Sequence, residues 1–247
     1  MRDKALLNFV ERNKNKTLIA IQGLGFVGSV MSLVCANAIN GNYAVIGVDV
    51  PSKRGKKITD DFNNGIFPVV AEDPKIEQLF KKSIKKGNFF ATTETDTYKV
   101  ADVIIVDINL DVEKENHTSG ALINFNVDLS SFKKAILSIG DNCKEDALIL
   151  VETTVPPGTC LEVIKPLIHN CLKQRNLSLD RIKIGHSYER VMPGPGYIDS
   201  IQNFYRVYSG IDNKSADAVE TFLHTIIRTD EYPLTRLRNT NSTEMAK

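Results

Sequence analysis

Three glycines, placed where an apolar strand gives way to an apolar helix, constrain this chain more than any other feature. The run Thr17–Gln22 (Thr-Leu-Ile-Ala-Ile-Gln) leads into Gly23-Leu-Gly25-Phe26-Val27-Gly28, and a helical apolar pattern follows over Val27–Ala38. In this G-x-G-x-x-G order, Gly23 permits a tight turn, Gly25 lets the backbone approach a pyrophosphate, and Gly28 lets the helix pack close to the strand. The helix N-terminus then offers free N–H groups to phosphate oxygens. A second apolar run, Ala44–Val50, carries Asp49 near its end, 21 residues after Gly28. A carboxylate there accepts bonds from both adenosine ribose hydroxyls and repels a 2′-phosphate, so NAD is expected in preference to NADP. Lys53 and Arg54 follow closely, and two readings stay open for them: a solvated helix start, or packing on the adenine.

Further strands are expected at Val103–Ile108, Leu148–Val151 and Lys183–His186, and helices at Pro74–Lys85, Leu129–Cys143 and Pro157–Leu172. Near-continuous apolar strands alternating with helices predict a parallel sheet covered on both faces, the doubly wound α/β fold of Rossmann type. Residues 1–16 form an N-terminal helical extension with Leu6, Leu7 and Val10 on one face, and 17–238 form the dinucleotide-binding domain. After Ser187 the alternation loosens into a Pro193–Gly196 loop, a strand at Arg206–Ser209 and a helix from Ser215 to about Ile227. Residues 239–247 read as the start of another helix, capped by Ser242 or Thr240 with Glu244 in its first turn.

Composition excludes several classes. The formal net charge is +1, and Lys81, Lys82, Lys85 and Lys86 fall at the spacing of a solvated helix face, so no nucleic-acid surface is expected. Apolar runs such as Val103–Val106 are too short to span a membrane, and Met1–Lys16 lacks the apolar core of a signal peptide. Cys35, Cys143, Cys160 and Cys171 show neither a CxxC pair nor metal-ligand spacing, which predicts reduced, mostly buried thiols, no metal, and a cytoplasmic location.

Two further segments carry chemistry. Val151–Thr159 (Val-Glu-Thr-Thr-Val-Pro-Pro-Gly-Thr) follows a strand, at the end that faces the ligand crevice in doubly wound sheets. Pro156 and Pro157 stiffen the turn, and Thr154 would project its hydroxyl into the crevice or serve a structural role before Val155 and the prolines. Gly185–Gly194 (Gly-His-Ser-Tyr-Glu-Arg-Val-Met-Pro-Gly) also follows a strand. Glu189 there is open to two readings, a general base or half of a surface ion pair with Arg190. His186 reads as a core or supporting histidine.

Taken in order, the glycine turn, the strand end at Asp49, Asn-Asn-Gly-Ile-Phe-Pro at Asn63–Pro68, Thr-Thr-Val-Pro-Pro-Gly-Thr and Tyr-Glu-Arg-Val-Met-Pro-Gly resemble the UDP-glucose/GDP-mannose dehydrogenase family. The resemblance spans about Lys16 to Lys247. It implies an NAD-dependent enzyme that oxidises the C6 alcohol of a nucleotide sugar to a carboxylate, homodimeric at full length. Gly25, Phe26, Val27 and Asp49 would then contact the cofactor, with Arg54 beside the adenosine. Thr154 would help hold a catalytic water, and Glu189 would activate water to hydrolyse a covalent thioester; both border the cofactor. Lys247 would stabilise oxyanionic intermediates. The Glu-Arg-Val-Met-Pro-Gly wording resembles N-acetylhexosamine dehydrogenases, which implies a UDP-sugar with a 2-acetamido group. Glucose and mannose enzymes carry Glu-Phe-Leu and then a second acid, where this chain has Pro193.

The chain also departs from the family. Tyr188 stands where a proline usually precedes the glutamate, and Asn109, Leu110 and Asp111 replace Pro-Thr-Pro. The family's nucleophilic cysteine, in a glycine-rich motif beyond the glutamate, has no counterpart here, so the chain is expected to be the cofactor domain plus the first turn of a central helix, inactive alone. Cys160, at a helix's first turn, is the nearest thiol to the crevice. Two other readings remain: a hydroxy-acid dehydrogenase with a Rossmann and a helical domain, and a stand-alone NAD-binding regulatory module. The first has no reason to keep the Thr154 and Glu189 segments.

Overall fold

A short helix, α1 (Lys4–Arg12), leads into β1 (Thr17–Gln22), α2 (Phe26–Ala36) and β2 (Tyr43–Val48). Helices α3 (Lys53–Asn63) and α4 (Pro74–Lys86) cross to β3 (Phe89–Thr92), and a 3₁₀ turn at Thr95–Lys99 leads to β4 (Val103–Val106). A hairpin of β5 (Val112–Asn116) and β6 (Leu122–Val127) precedes α5 (Ser130–Gly140) and β7 (Leu148–Val151). A π-helical stretch, Thr159–Ile164, runs into α6 (Lys165–Gln174) and β8 (Lys183–His186). Then come α7 (Tyr197–Gln202), β9 (Val207–Gly210), α8 (Asn213–Ile226), β10 (Thr235–Arg236) and α9 (Thr240–Met245). This computed structural model describes residues 4–110, 112–116, 118–120, 122–188, 191 and 194–246.

The sheet has eight strands in the order β10-β9-β8-β7-β4-β1-β2-β3. The chain builds outward from β1 through β2 to β3, then returns to place β4 on the other side of β1. The reversal opens a crevice between β1 and β4 at their C-terminal ends, where doubly wound sheets bind ligands. Both faces of the sheet are apolar. Ile19, Ile21, Ile105 and Leu150 face a layer that includes α2 and α8, while Leu18, Ala20, Ile104 and Ile149 face one that includes α5 and α6. Successive residues point to opposite faces, so strands buried on both sides must be apolar throughout. Among the described residues, no helix is long and apolar enough to cross a membrane. Lys81, Lys82, Lys85 and Lys86 are all exposed along α4.

Several expectations need correction. The sheet is mostly rather than wholly parallel: β9 runs antiparallel to β8, pairing Gly185 with Gly210 and His186 with Ser209. The link between them stays at the ligand end, where Tyr197 of α7 stacks on Phe26 at 4.8 Å, so β9 begins where β8 finishes. The helix expected over Pro157–Leu172 opens as a π stretch, because Pro166 has no N–H to give the carbonyl four residues back. α9 is capped by Asn239, whose side chain accepts the Ser242 amide at 2.9 Å, rather than by Ser242 or Thr240, and this earlier start puts Glu244 beyond its first turn. In α1 the buried residues are Leu6 and Phe9, while Leu7 is 42% exposed.

A buried ion pair joins the strand ends. Glu152, just past β7, is 0% exposed, and its Oε1 accepts from Arg206 Nη1 at 2.9 Å just before β9. Arg206 Nη1 also donates to the carbonyls of Ser187 at 3.2 Å and Tyr188 at 3.1 Å, leaving β8. Removing one partner leaves an uncompensated buried charge. Arg206→Met or Glu152→Leu is therefore expected to lower unfolding stability by about 3–5 kcal/mol, and the double substitution by less than the two losses added. Urea denaturation of the three variants checks it.

Candidate functional site

Two glycines of the turn, Gly23 and Gly28, meet a steric demand. Gly23 has φ +97°, and a Cβ there would stand 2.4 Å from the Asp107 carbonyl oxygen. A Cβ on Gly28 would stand 1.9 Å from the Gly23 carbonyl oxygen, so α2 could not pack this close with any side chain there. Nothing lies within 4 Å of a Cβ built on Gly25, which faces open space. Gly25 is also the N-cap of α2 and offers no side-chain bond to the helix amides, which leaves them facing the crevice.

A cleft of about 420 Å³ gathers the glycine turn (Gly25, Phe26 and Val27), Arg54 and Thr154, with Asp107–Leu110 and Glu152–Thr153 completing the wall. Arg54 and Lys53 are exposed in the first turn of α3, the end where a helix dipole disfavours cations, and no acidic residue offsets them there. That placement suits an arginine facing an anion. It puts Arg54 beside the glycine turn rather than in the pocket that holds Asp49.

Asp49 lines an adjoining depression of about 260 Å³ with Val50, Pro51, Thr93, Thr95 and Lys134. Its Oδ2 accepts the Leu24 amide at 3.0 Å and its Oδ1 the Val50 amide at 2.8 Å. The carboxylate thus ties the end of β2 to the glycine turn. Asp107 and Lys134 were not singled out from the sequence. Asp107 could have been found as the residue just past a strand's ligand end, whereas no local pattern marks Lys134.

Thr154 is exposed in the cleft, between Thr153 and Val155, which are both buried. Thr153 Oγ1 donates to the Val106 carbonyl at 3.0 Å and accepts the Ile108 amide at 2.9 Å, fixing the loop to β4. Tyr188, which replaces the expected proline, is buried with its ring 6.4 Å from that of His186, itself 1% exposed. Glu189 and Lys247 lie outside the described residues. Among the described residues, no group of three His, Cys, Asp or Glu side chains gathers to hold a metal ion.

All four cysteines are free and buried. Burial first, then the charges of Glu152 and Asp107, pushes the Cys35 thiol well up, and burial followed by Glu244 does the same for Cys160. Burial takes Cys143 and Cys171 from 9.0 to about 11. None is a ready nucleophile. A proton held more tightly by the folded chain favours folding below the unfolded pKa, so Cys143 and Cys171 contribute stability present below about pH 9 and lost as pH climbs through about 11. Iodoacetamide at pH 8 is expected to leave all four unmodified in the folded chain and to alkylate all four in urea, as read by mass spectrometry.

Known proteins resemble this chain in sequence and in fold. The family model for the UDP-glucose/GDP-mannose dehydrogenase family, NAD binding domain, matches residues 17–227. A UDP-N-acetyl-D-mannosamine dehydrogenase of Methanocaldococcus jannaschii is 30% identical over 243 residues, covering 96% of this chain and 48% of the relative. One from Pyrococcus horikoshii is 27% identical over 229 residues, covering 93% and 48%. The crystal structure of an NDP-N-acetyl-D-galactosaminuronic acid dehydrogenase from Methanosarcina mazei superposes with a TM-score of 0.80 at 21% identity, over 98% of this chain and 48% of that one. The chain spans about half the length of these relatives. It belongs to the UDP-glucose/GDP-mannose dehydrogenase family and carries that family's NAD-binding domain.

Proposed function

We propose that this chain is the cofactor-binding part of a nucleotide-sugar 6-dehydrogenase that oxidises the C6 alcohol of a UDP-sugar, a UDP-N-acetylhexosamine, to a uronate. The observation that carries this is the cleft itself, which sets the uncapped amides of α2, the Arg54 guanidinium and the Thr154 hydroxyl around one volume at the sheet's switch point. The relatives named UDP-N-acetyl-D-mannosamine dehydrogenases support the 2-acetamido sugar.

The donor set fits a dinucleotide. The α2 amides and Arg54 offer positive ends to a pyrophosphate, and Asp49 offers a carboxylate beside a mostly apolar depression suited to an adenosine. When bound, NAD supplies the hydride acceptor. Thr154 then orients a water in the cleft, Glu189 takes that water's proton, and Lys247 offsets negative charge on the reacting oxygen. Residues 17–238 form the cofactor domain, and 239–247 begin the next. The four free thiols suit a cytoplasmic location.

Calorimetry with both cofactors tests the Asp49 assignment. The chain is expected to bind NAD more tightly than NADP. Asp49→Asn retains an oxygen for the Leu24 amide but removes the charge, so it should narrow the preference by about tenfold or more, in line with about 1.5–3 kcal/mol for hydrogen bonds to a charged group. Equal affinities in the unsubstituted chain would remove the assignment.

With NAD and a panel of UDP- and GDP-sugars, the 247-residue chain is expected to yield no uronate. Oxidation through to the acid needs a thiolate to hold the aldehyde, and the four thiols here are buried and protonated. Uronate formation that Cys160→Ser abolished would show that the nucleophile has been misplaced.

A further inference from the structure

The loop that presents Thr154 is tied at both ends. Its start is held by its own Thr153, through the bonds to Val106 and Ile108 at the end of β4. Its far end is held from a distance of more than eighty residues. Glu244 Oε2 accepts the Gly158 amide at 2.6 Å, and Glu244 Oε1 accepts the Cys160 amide at 2.8 Å. These amides open the helical run through Thr159–Ile164 into α6 and need acceptors, and a carboxylate supplies both with charge-assisted bonds. Between the ties lie Thr154, Val155, Pro156 and Pro157, and the two prolines leave little slack.

Glu244 itself is firmly placed. It is 5% exposed on α9, which is capped by Asn239 and held to β9 by Thr243 Oγ1, 2.8 Å from Ser209 Oγ. Thr240, at the start of α9, is 0% exposed. The carboxylate therefore transmits the position of α9 to the loop.

We propose that Glu244 is a positioning residue for the cofactor cleft: by fixing the Gly158 and Cys160 amides it sets where the Thr154 hydroxyl stands beside the glycine turn. This rests on the reading that Thr154 faces bound NAD. Cys160, whose amide the same carboxylate accepts, is itself buried.

The test is a double-mutant cycle on the 247-residue chain with Glu244→Gln, Thr154→Ala and both together, titrated with NADH by fluorescence. Hydrogen exchange at Gly158 and Cys160 is followed in parallel. Glu244→Gln is expected to speed exchange at both amides and to weaken NADH binding about threefold to tenfold, while in the Thr154→Ala background the same change costs less than about twofold. Glu244→Asp, which keeps the charge but shortens the reach, is expected to fall between the two; it carries the same cycle if the glutamine variant does not fold. Equal weakening in both backgrounds would overturn the proposal, as would unchanged affinity beside faster exchange, or a Thr154→Ala chain that binds normally. Absence of NADH binding by the unsubstituted chain would instead overturn the assignment of the cleft, and the proposal with it.

Discussion

The structure depends on one close approach. A sheet and a helix normally keep their backbones apart by the thickness of their side chains, yet here α2, β1 and the end of β4 converge around Gly23 and Gly28 with no room for a Cβ at either. The Gly23 carbonyl lies under α2, and the Asp107 carbonyl lies against Gly23. Because the backbones meet, the first amides of α2 emerge at the floor of the cleft rather than beneath a layer of side chains. A pyrophosphate can then reach the helix end directly, which is the condition for the dipole and the free N–H groups to act on it. Strand order reverses at the same point, so the turn sits between neighbouring strands where the crossovers part to opposite sides.

The parts of the fold that the sequence reveals are those in which a single periodicity decides. Ile19, Ile21, Ile104 and Ile105 mark β1 and β4 because both faces of those strands are buried, and the Val27–Ala38 pattern marks α2 for the same reason. Direction is another matter. Residues 207–210 make a buried strand whichever way they run, and long-range contacts such as Tyr197–Phe26, made across 171 positions, and the Ile198 amide to Asp73 Oδ2 at 2.8 Å keep the preceding link at the ligand end, where β9 turns antiparallel. The β5–β6 hairpin carries too much polar sequence to announce itself, with Glu113, Lys114, Glu115, Asn124 and Asn126 within its strands. The π stretch was legible after all in Pro166, whose missing N–H falls in mid-helix.

The candidate site divides the same way. Gly23, Gly25, Gly28, Asp49 and Thr154 are local words, each explained by what a turn or a strand end demands of its residue type. Their supports are not local. Arg206 reaches back to Glu152 and to the carbonyls of Ser187 and Tyr188, and Glu244 reaches back to Gly158 and Cys160. An arginine before a strand and a glutamate in a short polar helix both look like solvent-facing residues in a linear reading. Their burial comes from where the sheet places them, and each satisfies backbone groups beside the crevice that would otherwise be costly to bury.

On the proposed assignment, Asp49 joins selectivity and architecture in one side chain. A carboxylate has about four lone-pair sites, and the Leu24 and Val50 amides occupy one on each oxygen. Capacity remains for two ribose hydroxyls, so holding the turn does not compete with holding the nucleotide. The two amides also hold the carboxylate in place. A 2′-phosphate brought to this position would meet a charge that cannot swing away without releasing the glycine turn. On the proposed assignment of Asp49, discrimination against NADP is therefore coupled to the integrity of the pyrophosphate seat. A substitution that keeps an oxygen at Asp49 separates the two roles, whereas one that removes the side chain disturbs both.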